Sequence, residues 1–161
     1  MRVAVLTISD GVVAGRRQDL SGPVAVAMLT EGLAPAEVHP EVVPDEQNRI
    51  EEKLRTWSSE GGYDLVVTSG GTGISPRDVT PQATLNVIDY QVPGIAEYMR
   101  AVSIQKTVMA VLSRAIVGVK GRTLIINLPG SPKGVRECLE AIMPVIPHAL
   151  EQMERGAGHD Q

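Results

Sequence analysis

The segment from Thr68 to Thr84, TSGGTGISPRDVTPQAT, holds the residues best suited to chemistry. Its glycines at 70, 71 and 73 permit positive φ angles and let a ligand approach the backbone closely. A glycine-rich loop directly after an apolar run presents backbone N–H groups, which form a natural nest for an anion. The segment lacks the Gly-Lys-Ser/Thr of a P-loop, and Pro76 stands where GxGxxG requires its last glycine. On spacing alone, a sharp turn that requires glycine explains the loop equally well.

A carboxylate close behind this loop favours a phosphate ligand accompanied by a cation. Asp78 lies in the run Pro-Arg-Asp-Val-Thr-Pro, where we expect Thr80 to be the N-cap of a helix because Pro81 suits the first helical position. Asp78 is then free for another role. A carboxylate beside a phosphate repels it unless a cation lies between them, and Mg²⁺ accepts one or two carboxylates together with phosphate oxygens. The pattern therefore favours a magnesium nucleotide over a bare anion.

Other polar residues follow apolar runs elsewhere in the chain. Asp45, directly after Pro44, is most simply interpreted from composition as a helix N-cap, and Asp10 and Asp19 are ambiguous in the same way. The polar stretch 11–21, which includes two adjacent arginines, is predicted to be a mobile loop over the site. The cluster 127–132 either turns the chain or presents N–H groups to a ligand at a helix N-terminus.

These residues are positioned by alternating strands and helices. Three continuous apolar runs, 3–8, 64–68 and 123–128, predict strands that are buried on both faces, and 37–43 predicts a weaker fourth strand. Helices are predicted between them: one capped by Ser21, one opening at Asp45, one over 96–106, and a last one beginning near 135 that Pro144 and Pro147 kink or split. The alternation indicates an α/β fold with a mostly parallel sheet, in which ligands bind beyond the carboxyl ends of the strands.

Composition excludes several classes of protein. The 161 residues suit one domain, expected over 1–154 with a flexible tail at 155–161. Aromatic residues make up 2% and the net charge is −4, which argues against stacking platforms for nucleic acid and against a phosphate-backbone binder. Cys138 is the single cysteine and the three histidines are scattered, so a disulfide, a thiolate cluster and a Ser-His-Asp triad have no support. No run is long enough for a membrane span, and we expect a cytoplasmic protein.

Seven elements in order resemble the MoaB/Mog family of molybdenum-cofactor biosynthesis proteins, which also includes the N-terminal G domain of gephyrin. The matching elements are Thr7–Asp10, Asp19–Gly22, Val43–Glu46, Thr68–Thr84, Pro93–Gly94, Leu112–Arg114 and Leu128–Pro132. The resemblance covers nearly the whole chain. It implies a three-layer α/β/α fold of the molybdopterin-binding-domain type, usually assembled as a homotrimer.

The resemblance also implies an activity and a site. Catalytic members of this family are molybdopterin adenylyltransferases, which use Mg²⁺ and ATP to attach AMP to the molybdopterin phosphate, release pyrophosphate, and pass the product to a metal-insertion enzyme. The family's two essential aspartates map onto Asp45 and Asp78, which are expected to be catalytic and to hold Mg²⁺. The expected substrate and nucleotide-binding residues are Ser9, Asp10, Ser69, Gly70, Gly71, Thr72, Gly73, Thr80, Ser113, Pro129, Gly130, Ser131 and Pro132.

Three alternatives remain open at this stage. Some branches of the family bind molybdopterin without catalysis, and a related domain occurs in nucleotide pyrophosphatases. A scaffold role like that of gephyrin is disfavoured because the sequence shows no linker. The presence of both aspartates and of the Thr80-Pro81 pair favours the transferase.

Overall fold

A computed structural model describes residues 1–157 and contains a six-stranded sheet with the strand order β2-β1-β3-β6-β5-β4. The strands are β1 (Arg2–Ile8), β2 (Glu37–Val43), β3 (Leu65–Ser69), β4 (Tyr90–Gln91), β5 (Val117–Lys120) and β6 (Thr123–Leu128). Strands β2, β1, β3 and β6 are mutually parallel, whereas β5 runs antiparallel to both of its neighbours. The predicted mostly parallel sheet is therefore confirmed, and the four predicted strands are all present. The short strands β4 and β5 lack the long apolar run that signals a strand in the sequence.

Helices connect the strands and lie on both faces of the sheet. They are α1 (Asp10–Val13), α2 (Ser21–Leu33), α3 (Gln47–Ser59), α4 (Thr80–Val87), α5 (Pro93–Ile104), α6 (Pro132–Ile142) and α7 (Ile146–Ala157), with a 3₁₀ segment at Val108–Leu112. The predicted last helix is split between α6 and α7, as its two prolines require. Helix α7 includes residues 155–157 of the expected tail, and 158–161 lie outside the described residues.

Two apolar layers fix the helices against the sheet. Alternate residues of the strands point to opposite faces, so Val3 and Val5 pack with α2, α5, α6 and α7, whereas Ala4 and Leu6 pack with α3 and α4. Cys138 and Trp57 are both buried in these layers. The result is the predicted three-layer α/β/α arrangement. No helix in the described part of the chain has both the length and the apolar character needed to cross a membrane.

The strand order creates a crevice between β1 and β3. The chain leaves β1 through α2 to form β2 on one side, then returns through α3 to form β3 on the other side. Because α2 and α4, the helices to which the loops after β1 and β3 lead, pack on opposite faces, these loops diverge and leave a gap at the carboxyl edge of the sheet. Ligands of open α/β sheets bind at such a switch point. The residues that follow β1, β2 and β3 are therefore those most able to act together.

Candidate functional site

A polar cleft of about 570 Å³ lies at this switch point. Nine of the residues predicted for the site line it: Ser9, Asp10, Asp45, Ser69, Gly70, Gly71, Asp78, Gly130 and Pro132. Asp45 and Asp78, which are 33 positions apart in the sequence, thus face one cavity. Residues 16–21 of the predicted loop also line this cleft, which brings two arginines to its rim.

A second, apolar cleft of about 340 Å³ takes the other part of the predicted set. It is lined by Gly73, Ser113, Pro129 and Ser131, together with side chains of α5, α6 and the 3₁₀ segment. The predicted binding residues are thus divided between two clefts, with Gly130 and Pro132 in the polar one and Ser113, Pro129 and Ser131 in the apolar one. The wall between the clefts is the turn after β6, where Ser69 Oγ donates to the carbonyl oxygen of Pro129 at 2.8 Å. Thr72 and Thr80 are buried and line neither cleft.

The glycine loop, residues 70–79, turns its carbonyl groups away from the polar cleft. The carbonyl oxygen of Gly70 accepts from Thr80 Oγ1 at 2.9 Å, and that of Gly71 accepts from the Thr80 N–H at 3.2 Å. The carbonyl of Thr72 accepts from the Arg114 N–H at 2.8 Å, and that of Gly73 accepts from Arg114 Nε at 2.7 Å. Four consecutive carbonyls are thus satisfied by two residues.

The N–H groups of the same loop have no such partners. Within residues 1–157, the N–H groups at positions 71–74 form no hydrogen bond to the protein. Positive φ angles of 106° at Gly70 and 68° at Gly71 produce this arrangement, and L-residues rarely adopt them. Unpaired backbone N–H groups in succession form an anion nest. The loop is therefore built to accept a phosphate oxygen or a similar anion.

Asp45 is fixed by a reciprocal pair of hydrogen bonds with Asp10. The Asp10 N–H donates to Asp45 Oδ2 at 2.8 Å, and the Asp45 N–H donates to Asp10 Oδ1 at 3.0 Å. Arg77 donates to Asp10 from Nε and Nη2, each at 2.9 Å. Arg77 is the main cause that lowers the pKa of Asp10, whereas burial, followed by the Asp10 and Asp78 charges, raises the pKa of Asp45. The charge of Asp10 is thus compensated by Arg77, whereas Asp45 forms no ion pair within residues 1–157.

Asp78 forms a tight turn with Ser75. Its Oδ2 accepts from the Ser75 N–H at 3.0 Å, and its own N–H donates to the Ser75 carbonyl at 2.9 Å. Asp45 and Asp78 therefore share one property: one carboxylate oxygen is held by a backbone N–H, and the other has no hydrogen-bond partner among residues 1–157. Each is oriented and still has an oxygen available to a ligand.

Three predicted helix caps are wrong, and each of these side chains serves a tertiary contact instead. Helix α3 is preceded by Glu46 as N-cap, while the Asp45 carboxylate turns to the Asp10 backbone. Thr80 is the first residue of α4, and its hydroxyl holds the glycine loop. Ser21 is the first residue of α2, and its hydroxyl donates to Ser69 Oγ, whose own proton goes to the Pro129 carbonyl. Local propensity favours a cap at each of these positions, but a longer-range partner takes the hydroxyl or carboxylate.

Asp19 and Ser131 are helix-terminal residues. Asp19 Oδ1 accepts from the Gly22 N–H at 2.9 Å, and its Oδ2 accepts from the Thr7 hydroxyl, so Asp19 fixes the start of α2 at the cleft. Ser131 Oγ accepts from the Gly134 N–H at 3.0 Å and caps α6. In both cases the acceptor lies three residues before the N–H that it binds, a spacing that can be recognised in the sequence.

Five cationic side chains that lie in or follow a strand or the glycine loop separate into two groups by their contacts. Arg77 and Arg114 contact the residues of the glycine loop and Asp10. Lys120 pairs with Asp89, Lys133 lines the apolar cleft, and Arg122 lies in neither cleft. Within residues 1–157 no three acidic, histidine or cysteine side chains form a ready-made metal cluster. Four aspartates line the polar cleft, and two of them, Asp45 and Asp78, have a carboxylate oxygen without a partner among residues 1–157. The cleft therefore offers two free carboxylate oxygens rather than a complete protein cage for a metal ion.

The chain is similar to named proteins over most of its length. The chain is 45% identical over 152 residues to the molybdopterin adenylyltransferase of Helicobacter pylori strain J99, an alignment that covers 94% of this chain and 86% of that protein. It is 41% identical over 143 residues to the enzyme of the same name from Escherichia coli K12, covering 88% of this chain and 73% of that one. The crystal structure of the molybdopterin biosynthesis enzyme MoaB from Thermus thermophilus is 51% identical, with a TM-score of 0.86 over 94% of this chain and 95% of that one. Residues 4–148 match the family model described as a probable molybdopterin binding domain, and the chain belongs to that family.

Proposed function

We propose that the chain is a molybdopterin adenylyltransferase, which transfers AMP from ATP to the phosphate of molybdopterin and releases pyrophosphate. One observation carries this proposal: Asp45 and Asp78 line the polar cleft together with Gly71, the first residue of the N–H nest, and each has a carboxylate oxygen without a partner among residues 1–157. Family relatives named for this activity support the same assignment.

The glycine loop supplies the phosphate-binding part of the reaction. Its free N–H groups at 71–74 donate to oxygens of the triphosphate, so that no mobile side chain is needed to bind them. Fixed donors of this kind hold a phosphoryl group in line with its attacking and leaving oxygens, and phosphoryl transfer depends mainly on such positioning. A molybdopterin phosphate oxygen then forms the new bond to the α-phosphorus while the bond to the β-phosphate oxygen breaks.

Asp45 and Asp78 fit a magnesium site. Mg²⁺ takes one or two carboxylates together with phosphate oxygens and waters, which matches two acids beside an anion nest. When bound, it would neutralise the charge on the phosphates. The fixed oxygen of each carboxylate prevents rotation and keeps the second oxygen directed to the cleft. No strong general base is needed, because the attacking phosphate is already ionised at neutral pH.

The remaining substrate residues have separate places in this scheme. Ser9, Asp10, Ser69, Gly70 and Gly71 lie in the polar cleft with Gly130 and Pro132. Gly73, Ser113, Pro129 and Ser131 lie in the adjoining apolar cleft, whose surface suits a flat ring system better than a polyphosphate. We propose that the phosphates occupy the polar cleft and a ring of one substrate the apolar cleft.

Pyrophosphate release tests the proposal. With purified molybdopterin, ATP and MgCl₂, the protein is expected to release pyrophosphate, and Asp45→Asn and Asp78→Asn each to lower turnover by roughly 100-fold. Asp89→Asn is the matched control, since Asp89 is an acid that bonds Lys120 and the Gly121 N–H away from both clefts. Release of pyrophosphate from ATP without molybdopterin would identify a nucleotide pyrophosphatase. Molybdopterin binding without any release would identify a carrier.

A homotrimer is part of the same proposal. Apolar side chains are exposed on α5 and the 3₁₀ segment, among them Tyr98, Val108, Met109, Val111 and Leu112. A contiguous exposed apolar surface is typical of a subunit contact. Sedimentation equilibrium is expected to give about three times the 17.2 kDa of one chain, and a species of 17.2 kDa would refute the trimer. We place the protein in the cytoplasm, with the metal-insertion enzyme as the recipient of its product.

A further inference from the structure

Arg114 lies behind the glycine loop, between the 3₁₀ segment and β5, and makes an unusual set of contacts. Its backbone N–H donates to the carbonyl of Thr72 at 2.8 Å. Its side chain donates from Nε to the carbonyl of Gly73 at 2.7 Å, from Nη2 to the carbonyl of Asp78 at 2.8 Å, and from Nη1 to Gln82 Oε1 at 3.1 Å. One planar guanidinium thus joins the loop to the first turns of α4.

We infer that Arg114 is a positioning residue for the proposed adenylyl transfer, because one guanidinium fixes both the N–H nest and the backbone of Asp78. The inference rests on the proposed function. Gly73 and Asp78 are the two ends of an exposed segment of the loop, in which Ile74 is 67% exposed. Without the Arg114 side chain, this segment keeps the bonds between Ser75 and Asp78 and the exposed pair between Arg77 and Asp10. The first shape the turn and the second holds its tip, but neither holds the carbonyls of Gly73 and Asp78.

The contacts on Thr72 and Gly73 determine which way the nest faces. A peptide group has its carbonyl and its N–H on opposite sides, so a carbonyl held from behind directs the next N–H forward. The carbonyls of Thr72 and Gly73 are held by Arg114, and the N–H groups that follow belong to Gly73 and Ile74. Substitution of the Arg114 side chain releases the Gly73 carbonyl, while the backbone N–H at 114 still holds that of Thr72. The peptide group between Gly73 and Ile74 can then rotate, and the nest loses the fixed direction of one of its four donors.

The charge of Arg114 adds a second effect. All three acceptors of its side chain are uncharged oxygens, and within residues 1–157 the guanidinium forms no ion pair. Its positive charge is therefore not cancelled locally, and because the residue is half-buried, water screens it less than a surface charge. This positive charge lies next to the backbone of Gly73 and Asp78, and therefore next to the loop that is proposed to bind phosphate.

Lysine cannot replace this group. Arginine has five N–H donors in a rigid plane, whereas an ammonium is a single point on a flexible stem. A lysine at position 114 keeps the charge but cannot bond the carbonyls of both Gly73 and Asp78 with the same geometry. Arg114→Lys and Arg114→Met therefore separate the effect of charge from the effect of position.

The experiment compares these two variants with wild type in pyrophosphate release and in amide hydrogen exchange. Arg114→Met is expected to lower kcat by about 10- to 100-fold and to raise KM for Mg-ATP, since small displacements of reacting groups cost this much. Arg114→Lys is expected to recover KM in part but not kcat. Arg55→Met is the control, because Arg55 bonds Glu51 and the Asn86 carbonyl on the outer surface of α3 and α4.

Hydrogen exchange keeps the test independent of activity. Both Arg114 variants are expected to exchange faster than wild type at the hydrogen-bonded amides of Ser75, Asp78 and residue 114, with no change in the strand Leu65–Ser69, which reports whether the core is folded. Unchanged exchange at these three amides overturns the inference whatever the activity, and so does full recovery of kcat in Arg114→Lys. A wild-type protein that releases no pyrophosphate overturns the proposed function instead, while the exchange pattern still decides the role of Arg114.

Discussion

Replacing Gly70 by alanine probes the loop at the point where backbone geometry constrains it most. Gly70 has a φ of 106°, outside the regions open to alanine, and an added Cβ would stand inside contact distance of the Ile8 carbonyl oxygen. That oxygen belongs to β1 and cannot rotate away. Backbone strain costs about 1–3 kcal/mol and overpacking about the same, so the expected destabilisation is about 4 kcal/mol.

A loss of this size is measurable by thermal unfolding. For a chain of this length, 1 kcal/mol corresponds to roughly 2–4 °C in Tm, so Gly70→Ala is expected to lower Tm by about 8–16 °C. The folded state should survive, since domains are commonly stable by about 5–15 kcal/mol. Affinity for Mg-ATP, measured by calorimetry below the new Tm, should also fall, because the nest begins at this residue.

Gly94→Ala is the matched control. Gly94 lies in the first turn of α5, and a Cβ there meets no atom within 4 Å. Alanine is expected to raise stability by about 0.5–1 kcal/mol, because it reduces the freedom of the unfolded chain. If Gly70→Ala unfolded within about 1 °C of wild type, the geometric reasoning about the loop would be refuted.

Two further substitutions test the contacts around the cleft. Thr80→Val leaves the buried Gly70 carbonyl without its hydroxyl donor and is expected to cost about 1–3 kcal/mol of stability. Thr80→Ser keeps the donor and loses only a methyl group, which is expected to cost about 1 kcal/mol. Urea unfolding that ranks Thr80→Val as the more stable variant would contradict this. Asp45→Asn is expected to raise stability at pH 7. Because burial and the Asp10 and Asp78 charges raise the pKa of Asp45, its ionisation opposes folding as pH rises above the ordinary value of 3.8. Urea titrations at pH 7 and below pH 3.8 should therefore show a smaller stability difference between Asp45→Asn and wild type at the lower pH. An equal difference at the two pH values would show that charge is not its cause.

Much of the fold follows from patterns within short segments. Continuous apolar runs identified β1, β3 and β6 to within about one residue at each end. Proline spacing identified the break between α6 and α7. Strands β4 and β5 escaped prediction because they have only two and four residues, and β4 is also an exposed edge strand, which does not demand an apolar run.

The helix caps show where short-range patterns mislead. Ser21, Asp45 and Thr80 each have the residue type and the neighbours of an N-cap. In the folded chain their side chains bond Ser69, Asp10 and Gly70, which are distant in sequence. Because a cap contributes about as much free energy as one tertiary hydrogen bond, contacts formed elsewhere in the fold decide between them.

The amino-acid sequence by itself determined which segments form the long strands, because a buried strand requires a continuous apolar run within its own residues. It therefore also determined that the polar clusters after these strands meet at one edge of the sheet. Only the tertiary structure decided that those clusters serve two clefts rather than one, and that the glycine loop turns its N–H groups outward. The partners that orient this loop and Asp45 are Arg114 and Asp10, which lie 41 and 35 positions away along the chain. A hydrogen bond between residues so far apart depends on the path of the whole backbone, and no local pattern encodes it.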